Sequence, residues 1–153
     1  MVLLQEKMET SIGSSNIRTR KFMIAIMNQQ DRCHKRLLAE WPYEKKVFVL
    51  SSSPKQIPGT LNEKATLVAL KPPALLSYLS DKRFSNIYVD GGKVIQSFLK
   101  EDLIDELIIT KVPELIGSGI PLFGYLDNDL QFEHIQTNIY SDGLVKSHYI
   151  RKR

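Results

Sequence analysis

The chain has 153 residues and a formal net charge of +4, and its apolar and charged fractions, 42% and 25%, are those of an ordinary globular protein. This length suits one domain, and we expect residues 1–153 to form it. No apolar run approaches the roughly 20 residues that span a bilayer, and the first residues are too charged for a secretory signal. A single cysteine excludes an internal disulfide, so we expect a cytoplasmic protein without a membrane partner.

The positive charge is concentrated in the first third of the chain. Residues 1–46 carry nine Lys and Arg against five Asp and Glu, whereas residues 47–153 carry twelve of each kind. Basic clusters at 18–21 and 32–36 could contact nucleic acid, but a solvated helix face is the simpler interpretation, and no nucleic-acid partner is expected. The three histidines and the cysteine lack the spacing of metal ligands, so no metal site is predicted.

Predicted strands and helices alternate through the middle of the chain. Residues 47–50, 66–70 and 87–89 are short apolar runs of the kind found in buried strands. A proline pair at 72–73 favours the start of a helix, because proline is tolerated in the first helical turn. This alternation indicates right-handed crossovers and a parallel sheet.

The last third predicts an antiparallel hairpin. Residues 105–112 form a further predicted strand, and alternating runs at 130–136 and 144–150 flank a turn at 141–143 that contains Asp-Gly. Asp-Gly between alternating runs is a strong hairpin signal, and its addition to parallel strands makes the sheet mixed. The apolar run at 22–27 fits either a strand or a helix.

Gly91 and Gly92, here called the glycine turn, separate the strand at 87–89 from an amphipathic helix. The turn has no side chains to exclude a ligand, and the first N–H groups of the helix point into the gap. Phosphate is the ligand that such a place binds best, although the same sequence also serves as a packing turn. We expect the preceding strand to be central in the sheet, with the serines at 51–53 ending another strand.

Three segments in this order carry a family resemblance: VDGGKVI at 89–95, DEL at 105–107 and PELIGSGIPLF at 113–123. They closely resemble the dihydrofolate-reductase-like family of the riboflavin-biosynthesis reductase C-terminal domain, and the resemblance extends from about Trp41 to the end. It implies a three-layer α/β fold with a mixed, mostly parallel central sheet and a C-terminal antiparallel hairpin. It also implies an NADPH-dependent reductase of a pterin or a ribosylamino-pyrimidine, as in 5-amino-6-(5-phosphoribosylamino)uracil reduction.

The resemblance implies three groups of site residues and assigns no catalytic residue. The cofactor diphosphate would be bound by the glycine turn and the helix start, that is by Gly91, Gly92, Lys93, Val94 and Ile95. The adenosine 2′-phosphate would be bound by small hydroxyls that can donate without crowding, those of Ser51, Ser52 and Ser53. The nicotinamide or the substrate would lie near a loop that contains Leu115, Ile116 and Gly117.

The first 39 residues are diverged from the family pattern. Members open with a strand and Ser-Leu-Asp-Gly, which this chain lacks, and carry Met-Gly-Arg before Glu-Trp-Pro. Counting back from Glu40, Met27 takes the methionine position, but Asn28 and Gln29 replace Gly and Arg. The alternative to an active reductase is therefore an impaired remnant or binding module that keeps the nucleotide-binding core without turnover. The resemblance leaves a homodimer open.

Overall fold

The computed structural model describes residues 25–28, 46–51, 63–84, 86–115, 117–119 and 121–153. They belong to two compact units, one ending at Val94 and the other beginning at Ile95. The single domain expected from the chain length stays a prediction. Within the described ranges, no helix combines the length and the apolar character needed to cross a bilayer.

The first unit contains a sheet of four parallel strands. Their bounds are β1 Ala25–Asn28, β2 Val47–Leu50, β3 Ala65–Val68 and β4 Tyr88–Val89. The strand order is β3-β2-β1-β4, and every pairing is parallel. The carboxyl ends of all four strands therefore lie along one edge of the sheet, where α/β proteins place their ligands.

Three strands of this sheet bear on the sequence predictions. Strand β1 forms where the apolar pattern fitted either a strand or a helix, and β2 covers the predicted residues 47–50. Strand β4 was expected in the middle of the sheet, but it is the outermost of the four described strands and pairs with β1 through Tyr88 and Val89. Strand β1, the partner of β4, has a described strand on each side.

Helix α1, Pro72–Asp81, begins at the predicted proline pair. Leu75 and Leu79, one turn apart, are both fully buried, so the helix presents one apolar face to the core. Phe48 of β2 is 1% exposed, and its ring contacts that of Tyr78 edge-on at a centroid distance of 6.3 Å. Burial of these side chains holds α1 in the unit that contains the parallel sheet.

Helix α2, Gly92–Lys100, begins in the first unit and continues into the second. Val94, Phe98 and Leu99 are between 1% and 4% exposed, which confirms the predicted amphipathic helix. The helix ends in a Schellman arrangement, with the Leu103 amide donating to the Phe98 carbonyl oxygen at 3.0 Å.

The second unit contains a sheet of three antiparallel strands. Their bounds are β5 Glu106–Lys111, β6 Phe132–Ile139 and β7 Val145–Arg151, in the order β5-β7-β6. The β6–β7 hairpin closes through the Tyr140 amide, which donates to the Leu144 carbonyl at 2.9 Å, with Gly143 at a φ of +82°. The predicted α/β combination of parallel strands and a C-terminal hairpin is confirmed, and the described strands form it as two hydrogen-bonded sheets.

Candidate functional site

The glycine turn connects β4 to α2 through a buried aspartate. Asp90 is 8% exposed, and its Oδ1 accepts a hydrogen bond from the Gly91 amide at 2.6 Å. Gly91 has a φ of +89°, a left-handed conformation that glycine adopts without steric cost. Helix α2 begins at the next residue, Gly92, so the predicted strand, turn and helix are all present.

The turn lies at the carboxyl edge of the parallel sheet. The chain proceeds from β1 to β2 and then β3 in one direction, and β4 lies on the opposite side of β1. Ligands of α/β proteins lie beyond the carboxyl ends of parallel strands. The glycine turn follows β4 directly and therefore lies at this edge, at the end of the strand that pairs with β1.

The start of α2 provides backbone donors at this edge of the sheet. The first amides of a helix have no acceptor within the helix and carry a partial positive charge. The Gly91 amide already donates to Asp90, so we do not count it among the donors to a ligand. Gly91 contributes to the candidate site only by leaving space where a side chain would be. Lys93 is exposed, which leaves its ammonium group able to approach an anion. The Val94 side chain is buried in the core, so any contribution of Val94 to a ligand comes from its backbone.

Ser51 lies at the carboxyl end of β2, as predicted, and is partly buried. Its amide donates to the Val68 carbonyl oxygen at 3.1 Å, which extends the β2–β3 ladder by one residue. Strand β1 separates β2 from β4, so their ends are about 10 Å apart at the usual spacing of neighbouring strands. This separation suits an adenosine that extends from a 2′-phosphate to a diphosphate. Ser52 and Ser53 lie outside the described residues, and the role of the three serines stays a prediction.

The predicted nicotinamide or substrate loop belongs to the second unit, as does Ile95. Leu115 is 97% exposed, and a Cβ added to Gly117 would meet nothing within 4 Å. Ile116 lies outside the described residues. An exposed apolar side chain of this size on a loop is available to cover a ligand, and the role of these residues stays a prediction.

Two residues beside the predicted ones were missed by the sequence analysis. Asp90 is buried immediately before the glycine turn. Gln96 donates from its Nε2 to the Pro121 carbonyl oxygen at 2.6 Å and so attaches α2 to the segment of the second unit that follows Gly119. Neither residue had a usable sequence signal: the burial of Asp90 depends on the backbone path, and a glutamine on the polar face of a helix indicates only solvent.

Comparison with known proteins identifies the family. Residues 17–146 match the family described as the RibD C-terminal domain, which is most of the chain. The uncharacterized protein YwjB of Bacillus subtilis (strain 168) is 35% identical over 113 residues, which are 72% of this chain and 63% of YwjB. The chain thus spans less than two thirds of the length of that relative.

Solved structures confirm the dihydrofolate-reductase-like fold. A crystal structure described as a candidate riboflavin biosynthesis protein from Shewanella sp. PV-4 is 40% identical, with a TM-score of 0.80 over 87% of this chain and 76% of that one. Dihydrofolate reductase from Enterococcus faecalis, complexed with NADP(H), has a TM-score of 0.57 at 16% identity over 86% of this chain and 75% of that one, which is a likeness of fold. The family match over residues 17–146 shows that this chain belongs to the RibD C-terminal domain family.

Proposed function

We propose that this chain is an NADPH-dependent reductase that transfers a hydride to a flat heterocycle, a pterin or a ribosylamino-pyrimidine of the riboflavin-biosynthesis type. The observation that carries the proposal is the position of the glycine turn, at the carboxyl end of a parallel strand and directly before a helix. Membership of the RibD C-terminal domain family supports the reductase class. A small-molecule substrate in the cytoplasm, with no nucleic-acid or membrane partner, is part of the proposal, and a homodimer is compatible with it.

The residues of the turn fit the diphosphate of such a cofactor. Gly91 has no side chain and a left-handed φ, and the helix that starts at Gly92 provides amides with a partial positive charge. The exposed Lys93 adds a full positive charge at the same place. Asp90 is the opposing charge nearby, and its Oδ1 is already occupied by the Gly91 amide. The amides at the start of α2 and the Lys93 ammonium group therefore favour the binding of an anion.

When bound, the cofactor supplies the hydride, and the protein supplies binding and orientation. The amides of Gly92 and Lys93 would bind the diphosphate, and the serines at 51–53 would bind the adenosine 2′-phosphate. By the family resemblance, Leu115, Ile116 and Gly117 would lie on a loop near the nicotinamide or the substrate. We assign no proton donor, since the proposal concerns orientation of a flat heterocycle against the nicotinamide.

A specific departure favours a second candidate, a binding module without turnover. Strand β1 ends at Asn28, where the resemblance expects the glycine of Met-Gly-Arg. An arginine that faces phosphates would be replaced by Gln29, which has no charge. Such a protein would bind the cofactor through the glycine turn and would reduce no heterocycle.

The two candidates separate in one pair of measurements. Fluorescence titration should give saturable NADPH binding, with tighter binding of NADPH than of NADH because only NADPH carries the 2′-phosphate. Incubation of the complex with 5-amino-6-(5-phosphoribosylamino)uracil or dihydrofolate should then oxidise NADPH. The oxidation is measured as the loss of NADPH absorbance. Binding without oxidation of NADPH supports the binding module, and absence of binding at millimolar NADPH overturns both.

A further inference from the structure

The antiparallel sheet of the second unit has one face that lies open to solvent. Residues that pair directly across neighbouring strands have their side chains on the same face of the sheet. One face, here called the outer face, carries three residues of each strand: Glu106, Ile108 and Thr110 of β5, Lys146, His148 and Ile150 of β7, and Glu133, Gln136 and Asn138 of β6. Two large apolar side chains of this face, Ile108 and Ile150, are 56% and 41% exposed.

Side-chain contacts agree with this assignment of the faces. The His148 Nε2 lies 3.2 Å from the Glu106 Oε2, and the Gln136 Nε2 donates to the Asn138 Oδ1 at 2.9 Å. On the opposite face of β7, Ser147 is only 8% exposed. The sheet therefore buries its other face at β7 and leaves both isoleucines of the outer face partly in water. A surface that covered them would remove apolar area from water, which favours association.

The charges of the outer face are separated along the strands. Ile150 lies between Glu106 and Glu133, so one end of the face carries two carboxylates. At the other end, Lys146 lies between two uncharged polar residues. Lys152 lies beyond the acidic end with its Nζ 3.9 Å from the Glu133 Oε2, and both side chains are more than half exposed, so this pair is weak. The outer face is thus acidic at one end and basic at the other.

We propose that the outer face binds the outer face of a second copy of this chain. Oligomers of one chain are usually symmetric, and two sheets can stack face to face about 10 Å apart. A two-fold axis that runs across the strands places the acidic end of each copy over the basic end of the other. Lys146 of each copy then lies opposite the two glutamates of the other copy, and the Ile108 side chains meet near the axis.

The charge pattern favours this orientation over the other symmetric one. A two-fold axis that runs along the strands would stack Glu106 of one copy on Glu133 of the other, and Lys146 on Lys146. Like charges placed opposite each other across an interface oppose association, whereas opposite charges give specificity. The self-complementary pattern therefore fits a second copy of this chain in one register.

The outer face is small for a permanent dimer. Its three strands, the longest of eight residues, span roughly 15 by 25 Å at the usual strand spacing and rise. This area is below the about 800 Å² per partner of a standard interface. We therefore expect a dimer that dissociates on dilution, and that forms with or without a bound cofactor.

Sedimentation of the full chain from micromolar to near-millimolar concentration measures the dimer dissociation constant. Lys146→Glu places a third carboxylate opposite the two glutamates, so it should raise that constant by at least about tenfold. Lys111→Glu is the matched control, because Lys111 is exposed and lies on the opposite face, where it pairs with Val145. The control should dimerise as the unmodified protein does.

A charge exchange between two variants tests the register. The double variant Glu106→Lys with Glu133→Lys should also dimerise poorly by itself, because two lysines then face Lys146. Mixed with Lys146→Glu, it should form a heterodimer, since every contact between the ends again joins opposite charges. Circular dichroism of each variant checks that it is folded.

Three results would overturn the inference. The first is an unmodified protein that stays monomeric over the whole concentration range. The second is a Lys146→Glu variant that dimerises as tightly as the unmodified protein, which would place the dimer contact on another surface. The third is the absence of a heterodimer from the two folded variants. The comparison of Lys146→Glu with Lys111→Glu remains decisive if the double variant does not fold.

Discussion

Gly92 is the residue at which the turn becomes a helix, and the proposed diphosphate site depends on its lack of a side chain. Any larger residue there places atoms beside the first helical amides, where the phosphate oxygens would lie. Gly91 is less informative as a target, because a side chain at its φ of +89° would strain the backbone as well as fill space.

Substitution of Gly92 by valine should weaken NADPH binding by at least tenfold through steric exclusion of the diphosphate. Valine has no lower helix propensity than glycine, so the free energy of unfolding should change by less than about 1 kcal/mol. Titration with NADPH measures the first effect and urea denaturation the second. An unaltered NADPH affinity in the folded variant would show that the turn serves packing alone.

Individual side chains at the turn were predicted unevenly from the sequence. The glycine pair and the apolar positions of the helix were readable, because both have local signatures that do not depend on the partner element. The burial of Asp90 was not readable, since its hydrogen bond to the Gly91 amide becomes visible only when the backbone path is known. The same limit applies to Val94, whose side chain belongs to the core although its amide is a candidate donor.

Helix α2 also carries a contact that holds a loop of the second unit. Gln96 donates to the Pro121 carbonyl oxygen, and a Cβ added to Gly124 would lie 3.1 Å from the Gln96 Cδ. The glutamine side chain is therefore confined between the helix and the segment 121–124. Because this segment follows the predicted nicotinamide or substrate loop, its attachment to α2 limits how far that loop moves.

Gln96→Ala and Gly124→Ala should both loosen the segment 121–124, the first by removing the donor and the second by displacing the glutamine. Hydrogen exchange of the amides at 122–124 should accelerate severalfold in each, with a loss of about 1 kcal/mol or less in unfolding free energy. Gly117→Ala is the matched control, because its added Cβ enters open space. Unchanged exchange in Gly124→Ala would contradict this account of the contact.

The end of α2 is joined to β7 by a paired arginine and aspartate. Arg151 donates from Nε to Asp102 Oδ1 at 2.7 Å and from Nη2 to Oδ2 at 3.0 Å. This hydrogen bonding, together with the positive charges of Arg151 and Arg153, holds the pKa of Asp102 below its ordinary value. Asp102 adopts a φ of +50°, so the pair also holds a backbone conformation that aspartate rarely takes.

The lowered pKa of Asp102 predicts a loss of stability in acid. A carboxyl group with a depressed pKa in the folded protein stabilises it above the unfolded pKa, near 3.9, and this contribution disappears as the pH falls through the folded value. The free energy of unfolding, measured by urea denaturation, should therefore fall below about pH 4 more steeply in the unmodified protein than in Asp102→Asn. Asp129→Asn, which removes an exposed carboxylate, is the control variant. Identical profiles for Asp102→Asn and the unmodified protein would contradict the role of the pair.

Elements with a strong local pattern were predicted well from the sequence. The order in which the strands pair in the sheet was not predicted. Strand β2 and the hairpin of β6 and β7 coincide with apolar and alternating runs, and Asp-Gly places the hairpin turn. The ambiguity at β1 disappears only through its pairing with β2 and β4, which is a tertiary effect. The outer position of β4 among the described strands follows from strand order, for which a run of two or three apolar residues carries no signal.

For the molecule as a whole, the family and the fold were accessible from ordered motifs, whereas activity was not. The segments at 89–95, 105–107 and 113–123 predicted a dihydrofolate-reductase-like fold, which the structural likeness to Enterococcus faecalis dihydrofolate reductase confirms. In the proposed reductase, activity would depend also on the diverged first 39 residues, where Asn28 and Gln29 replace the expected Gly and Arg. The fold is compatible with either proposed function.

Fluorescence titration of the unmodified protein with NADPH, with NADH titrated in parallel, tests the central claim most directly. We predict saturable binding of NADPH in the micromolar to submillimolar range usual for enzyme ligands, about tenfold or more tighter than that of NADH. No saturation at millimolar NADPH would contradict the assignment of the glycine turn to a cofactor diphosphate.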